Sequence, residues 1–297
     1  MNFIDFHKLE IQRLLSVWRA LGPPLRPSPE DVEAFSQNWK AGEGLRVLIL
    51  GVTPELVDLA VRKKSSRVIA MDCSRPAFTA MRIFGRENWD RVEALPNEWQ
   101  IFLPDLEGTL DMVLGDGSLT MLAFPAEWEQ ILKNTHRYLG PGGRMILRLP
   151  FQPEEPFNLE LYMKETFSRF DHECAGAGDD QRLKLFRNLI SEMRIAFGVA
   201  SAGRNGVVDL NRRAEFVRRF HTEFAARYGH WKEWETVRIG MPPESEVRYS
   251  GKTGKAVPSW PAAVGLFERH GFAVAGVKES GIRPAPGAMR FFIAERI

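Results

Sequence analysis

Residues Arg46 to Ala60 read RVLILGVTPELVDLA. Four successive apolar residues, Val47 to Leu50, are too few for a helix but suit a strand buried on both faces. The run stops at Gly51, a residue that lets the backbone turn sharply or approach a ligand closely. Thr53 is a good N-cap and Pro54 a good first helical residue, so a helix follows the strand almost at once. Its free N–H groups and positive dipole end favour an anion such as a carboxylate above the strand, and Glu55 in the first turn suits an ammonium. A zwitterionic amino-acid group satisfies both. A pyrophosphate asks for the further glycines of G-x-G-x-x-G, which this loop lacks, so a nicotinamide dinucleotide is disfavoured. Taken alone, the loop also reads as an ordinary strand-to-helix turn.

Outward from this stretch, residues 45–150 alternate short apolar runs with helical segments. The runs are Val47–Leu50, Arg67–Met71, Arg91–Leu95, Leu110–Leu114 and Arg144–Leu149. Such alternation predicts a parallel sheet covered on both faces. Gly140-Pro141-Gly142-Gly143 is expected to stop a helix and turn the chain before the fifth strand. Residues 3–21 carry a helical apolar stripe, and Ser28-Pro29-Glu30-Asp31 predicts a capped second helix with a capping box. Residues 1–44 thus form an N-terminal helical extension.

Residues 151–258 break the alternation. Phe186, Leu189, Ile190, Met193 and Phe197 share one helical face, and Phe216, Phe220, Phe224 and Tyr228 form another row. An all-helical insertion is expected, bounded by FQPEEPF and by MPPESEVRYSGKTGKAVP. Afterwards a helix ends at His270-Gly271, and Phe272–Lys278 and Met289–Arg296 read as strands joined by the turn-rich SGIRPAPGA.

Two further positions point to ligand chemistry. The second strand ends in Asp72, about 20 residues past Gly51, where a carboxylate accepts hydrogen bonds from ribose hydroxyls. That spacing outweighs its reading as a simple helix cap. The fourth strand ends in Asp116-Gly117-Ser118, at the carboxyl edge where open α/β sheets bind ligands. Gly117 permits close backbone approach, and Asp116 suits an ammonium or a nucleophile's proton; a plain Asp-Gly turn is the other reading.

Composition narrows the classes. The chain has 297 residues, 44% apolar and 26% charged, with a formal net charge of +2. That charge is too small to signal nucleic acid, and Arg62-Lys63-Lys64, Arg212-Arg213 and Arg218-Arg219 read as solvated helix faces. No apolar run approaches the roughly 20 residues of a membrane span and no signal-peptide pattern is present, so a cytoplasmic protein is expected. Cys73 and Cys174 have no metal-ligand spacing, and no metal is expected.

These motifs together resemble the class I S-adenosylmethionine-dependent methyltransferases. VLILGVTPEL matches the first motif, VIAMDCS the acidic end of strand two, LDMVLGDGSL strand four, LGPGGRMILRL the turn into strand five, and LFERHGFAVAGV the helix and strand six. The first motif departs from the family, with Ile49 at its usual acidic position and Thr53 and Glu55 at its later glycines. The resemblance implies a Rossmann-like α/β core, residues 45–150 and 259–297. It has seven strands in order 3-2-1-4-5-7-6, the last antiparallel, with residues 151–258 as a lid. It also implies S-adenosyl-L-methionine as cofactor and S-adenosyl-L-homocysteine as product. Gly51, Thr53, Pro54 and Glu55 would meet the methionine part, Asp72 the ribose, and Glu98 and Trp99 the adenine, with Cys73 and Ser74 also among the cofactor-binding residues. Asp116, Gly117 and Ser118 would complete the site, with Asp116 as the candidate base. Tyr228, His230 and Trp231 form a possible acceptor cluster. The expected activity is methyl transfer to a small organic acceptor, without nucleic acid or membrane as partner. The alternatives are a non-catalytic adenosyl-ligand binder, another group transfer from the same cofactor, and methylation of RNA or protein.

Overall fold

A computed structural model of the chain describes residues 3–241, 256–279 and 289–297. Most of MPPESEVRYSGKTGKAVP and all of SGIRPAPGA lie outside the described residues. Each apolar run becomes a strand: β1 Arg46–Leu50, β2 Arg67–Met71, β3 Val92–Leu95, β4 Leu110–Asp116, β5 Leu139–Pro150, β6 Phe272–Glu279 and β7 Met289–Arg296. They form one sheet in the order β3-β2-β1-β4-β5-β7-β6. β1 to β5 are parallel, and β7 runs antiparallel between β5 and β6.

Strand periodicity sorts the side chains onto two faces. Leu48, Leu50, Ile69, Val113, Leu147 and Phe292 point to one face, covered by α5 (Ala126–Tyr138) and by α10 (Trp260–Arg269). Val47, Ile49, Val68, Leu114, Ile146 and Phe291 point to the other. That face is covered by α1 (Phe3–Ala20), α2 (Pro29–Gln37), α3 (Pro54–Arg62) and α4 (Arg75–Arg82). The near-continuous apolar character of β1, β2 and β4 follows from this double covering.

The glycine-rich turn differs in detail from its expected place. Leu139 already pairs with Leu110, and Arg144 pairs with Met112, so the intervening residues form a bulge inside β5. Gly142, at φ 63°, supplies the left-handed residue this excursion needs.

Between β5 and α10 lie α6 (Leu159–Cys174), α7 (Asp179–Ser201), α8 (Leu210–Tyr228) and α9 (Lys232–Val237). The rows read from the sequence interlock here: Phe186, Phe220, Phe224 and Tyr228 are buried in one core, joined by Phe167 and Phe170 of α6. The extension joins it through Leu21, and Gly22 N–H donates to the buried Ser191 hydroxyl on α7 at 2.9 Å. α2 has the expected capping box, Ser28 Oγ accepting from Asp31 N–H and Asp31 Oδ2 from Ser28 N–H.

Candidate active site

The carboxyl ends of β2, β1, β4 and β5 line up in that order along one sheet edge, strands spaced about 4.8 Å apart. On the β2–β1 side, three predicted residues converge. Gly51 has φ 98°, and a methyl group there would sit 3.8 Å from Trp99 Cζ2 and 4.0 Å from Asp72 Oδ2. Trp99 is held by its indole N–H, which donates to the Met71 carbonyl at 2.7 Å. Asp72 Oδ1 accepts from Ser74 N–H at 2.8 Å. Burial pushes the Asp72 carboxyl above its ordinary range, and the Ser74 N–H bond opposes this. A half-buried carboxylate that has no cation partner among the described residues, an aromatic wall and a bare glycine backbone fit an adenosyl group, whose ribose offers hydroxyl donors and whose base offers a flat face.

The neighbouring predicted residues divide. Ser74 is the N-cap of α4, Cys73 is exposed, and Glu98 is exposed beside Trp99. Thr53 occupies the N-cap position of α3 with Pro54 following, but its side chain makes no capping bond. Glu55 already has its cation: its Oε1 accepts from Arg26 Nη2 at 2.6 Å and from Nε at 3.1 Å. The ammonium expected opposite Glu55 is thus replaced by a guanidinium of the extension, which no local pattern around residue 55 encodes.

On the β4–β5 side Asp116 is joined to its register neighbour. Arg148 Nε donates to Asp116 Oδ1 at 2.6 Å, Nη1 to Asp31 Oδ2 at 3.0 Å, and Nη2 to the Pro24 carbonyl at 2.8 Å. The Arg148 side chain is fully buried and that of Asp116 nearly so. Burial, opposed by the Arg148 charge, pushes the Asp116 carboxyl up to about 6. Gly117, at φ 65°, turns the chain out of β4, and Ser118 tucks back beneath it. A side chain at Gly115 would collide with Ser118 Oγ and with Leu147.

A cleft of about 120 Å³ opens over this edge. Asp116, Gly117, Arg148 and Pro150 form its floor, Ile195 and Gly198 of α7 a wall, and Leu25, Val257 and Met289 further apolar lining. Arg194 and Arg213 also face it. Arg213 was expected on a solvated helix face but is only 4% exposed. Sequence reasoning passed over Asp31, Arg148, Arg194 and Arg213. The available signal was Arg148 itself, a charge set between leucines in an apolar strand, which requires a buried carboxylate partner.

Tyr228, His230 and Trp231 do not meet this cleft. Tyr228 is buried in the core of α6–α9 with its hydroxyl on Asp171, Trp231 packs on Phe170 and Phe186, and His230 is exposed. The aromatic row packs the core of α6–α9, and none of the three residues lines the cleft over Asp116.

Among the described residues no group of three or more His, Cys, Asp and Glu side chains gathers as metal ligands, and no helix is long and apolar enough to cross a membrane. No family model and no curated protein matches the sequence. Solved structures do match. An S-adenosylmethionine-dependent methyltransferase from Mesorhizobium loti is 14% identical, with TM-score 0.51 over 91% of this chain and 99% of its own. One from Methanosarcina mazei is 15% identical, with TM-score 0.50 over 92% and 99%. A Rhodobacter sphaeroides protein described as a zinc-dependent alcohol dehydrogenase is 14% identical, with TM-score 0.56 over 96% and 98%. At such identities the likeness speaks for the fold and not for the chemistry. The fold, with its antiparallel seventh strand, is that of the class I S-adenosylmethionine-dependent methyltransferases.

Proposed function

We propose that this chain is an S-adenosylmethionine-dependent methyltransferase whose acceptor is a small organic molecule held in the cleft under α7. The observation that carries the reading is the division of one sheet edge into two adjoining halves. Gly51, Asp72 and Trp99 make a seat suited to an adenosyl group, and the cleft over Asp116 and Arg148 lies one strand further on. When bound, the cofactor supplies an electrophilic methyl on its sulfonium.

The chain's own residues then have three tasks. Asp72 and Trp99 hold the adenosyl end, and Gly51 leaves room for its close approach. The apolar walls from α7 and Met289 exclude water and align the acceptor, which is the main requirement of an in-line transfer. Asp116 borders the cleft and takes the acceptor's proton where the acceptor is a hydroxyl or a protonated amine, with Arg148 fixing its carboxylate. Residues 151–258 act as the lid, because α7 supplies one wall while the sheet supplies the floor.

The reading is tested by calorimetric titration of wild type and Asp72→Ala with S-adenosylmethionine, S-adenosylhomocysteine and NAD. The expected outcome is binding of both adenosyl-sulfur ligands by wild type, weakened at least roughly tenfold in the variant, and no heat with NAD. Folded wild type that binds neither sulfur ligand overturns it. Methyl-transfer assays on pooled small acceptors, RNA and protein then separate a small-molecule enzyme from a macromolecule-directed one. Binding without turnover on any of them marks a non-catalytic adenosyl-ligand protein.

A further inference from the structure

A second, larger cleft, about 650 Å³, lies where the extension, α3 and α7 meet. None of Gly51, Asp72, Trp99, Asp116 or Arg148 lines it. Five cationic side chains do: Arg26, Arg62, Arg86, Lys184 and Arg187. Only two acidic ones accompany them, Glu55 and Asp58; Glu55 is engaged through Oε1, its Oε2 being buried without a hydrogen-bond partner, and Asp58 is engaged through both oxygens. Glu55 holds Arg26, and Asp58 accepts from the backbone N–H groups of Arg86 and Glu87 and from Trp89 Nε1.

Elsewhere on this chain arginines pair with carboxylates as a rule, even at the surface, as Arg67 does with Glu93 and Arg137 with Glu107. In this cleft Arg62 reaches Glu87 only at 3.7 Å. The side chains of Arg86, Lys184 and Arg187 form no ion pair or hydrogen bond with any described residue. Arg187 is the telling member. It is partly buried, and its Nε is shielded from solvent without a hydrogen-bond partner. Burial, and then the like charge of Arg26, press its pKa down. A partly buried guanidinium beside another, with no carboxylate paired to it, is costly unless an external anion completes it. The backbone beneath is firm, since Gly22 is bonded to Ser191 and packs so closely on α7 that a side chain there would meet Asn188 Oδ1 at 2.6 Å.

We propose that this cleft binds a small, multiply charged phosphate-bearing molecule, with Arg187 as the inner contact and Lys184 and Arg86 as the outer ones. Guanidinium forks match phosphate oxygens in pairs, and a lysine adds a mobile point charge. Three unneutralised cations from α7 and the segment after α4 call for a ligand with at least two negative charges.

The test is calorimetric titration of the full chain with inorganic pyrophosphate at low ionic strength. It needs no bound adenosyl ligand, so its failure is distinct from failure of the proposed activity. Wild type is expected to bind pyrophosphate saturably at one site, equally well when S-adenosylhomocysteine is present. Arg187→Gln should abolish the heat. Lys184→Gln combined with Arg86→Gln, both at exposed positions and therefore safe for folding, should weaken binding by roughly tenfold or more. No saturable binding by folded wild type, or binding unchanged in both variants, overturns the proposal. So does displacement by S-adenosylhomocysteine, which would make this cleft part of the adenosyl seat. Short single-stranded RNA that binds far more tightly than pyrophosphate through the same three residues overturns the small-ligand class.

Discussion

The guanidinium of Arg148 is shut away from water and donates to three acceptors, Asp116, Asp31 and the Pro24 carbonyl. Removing it leaves two buried carboxylates without their cation, the situation in which broken buried pairs cost about 3–5 kcal/mol. Arg148→Ala is therefore expected to lose stability of that order in urea unfolding at neutral pH; a loss below about 1 kcal/mol would mean that the carboxylates find other partners. Asp116 makes a second expectation. Its carboxyl is raised from 3.8 to about 6 in the folded protein, with burial as the leading cause. Because the folded value lies above the unfolded one, the carboxyl's contribution to stability is full below 3.8 and lost as pH rises through about 6. Asp116→Asn should remove this fall from the pH dependence of unfolding. A variant curve parallel to wild type across that window would place the titration elsewhere. Of these residues Asp116 was legible, because it closes an apolar strand. Asp31 was legible only as half of a capping box. Nothing in its neighbourhood tells that the same oxygen also serves an arginine more than a hundred positions on.

Elements were read more surely than side-chain partners, for a physical reason. Strands covered on both faces must be continuously apolar, and helices covered on one face must be striped, so both periods are written locally. β1, β2 and β7 fall where the patterns put them. β5 begins earlier than its apolar run because a glycine bulge can remain within a strand pair, which composition does not distinguish from a preceding turn. The aromatic rows of α7 and α8 were equally legible as packing, and Tyr228 lies in that packing and not in the lining of the cleft. Tyr228→Phe tests this at the level of the helix. Loss of its bond to Asp171 should cost about 1 kcal/mol in unfolding, while the affinity for adenosyl ligands and for any acceptor identified stays at the wild-type value. A raised KM for the acceptor with stability unchanged would return Tyr228 to the site.

At the scale of the whole molecule, the order of the strands sets what lies next to what. β1 at the centre, with β2 on one side and β4 on the other, brings Asp72 and Asp116 to flank Gly51 although 44 positions separate the two carboxylates in sequence, 116 minus 72. The resemblance to a known fold carried this arrangement, since the apolar runs alone leave strand order open. What no resemblance supplied is the path of the first forty-odd residues. They cover one sheet face with α1 and α2, close the Asp116 edge through Asp31 and Pro24, hold Glu55 through Arg26, and form one side of the cationic cleft.

The three-way contact at Arg148 has an evolutionary side. Its members come from the extension, from β4 and from β5, so no one of these segments is free to change its charge alone. A lineage that neutralised position 148 would have to neutralise 31 and 116 in nearly the same step, whereas the exposed ion pairs around the rim can come and go singly. Among descendants of this chain, the three positions should therefore be inherited as a set, and a descendant that has lost one should have lost all three.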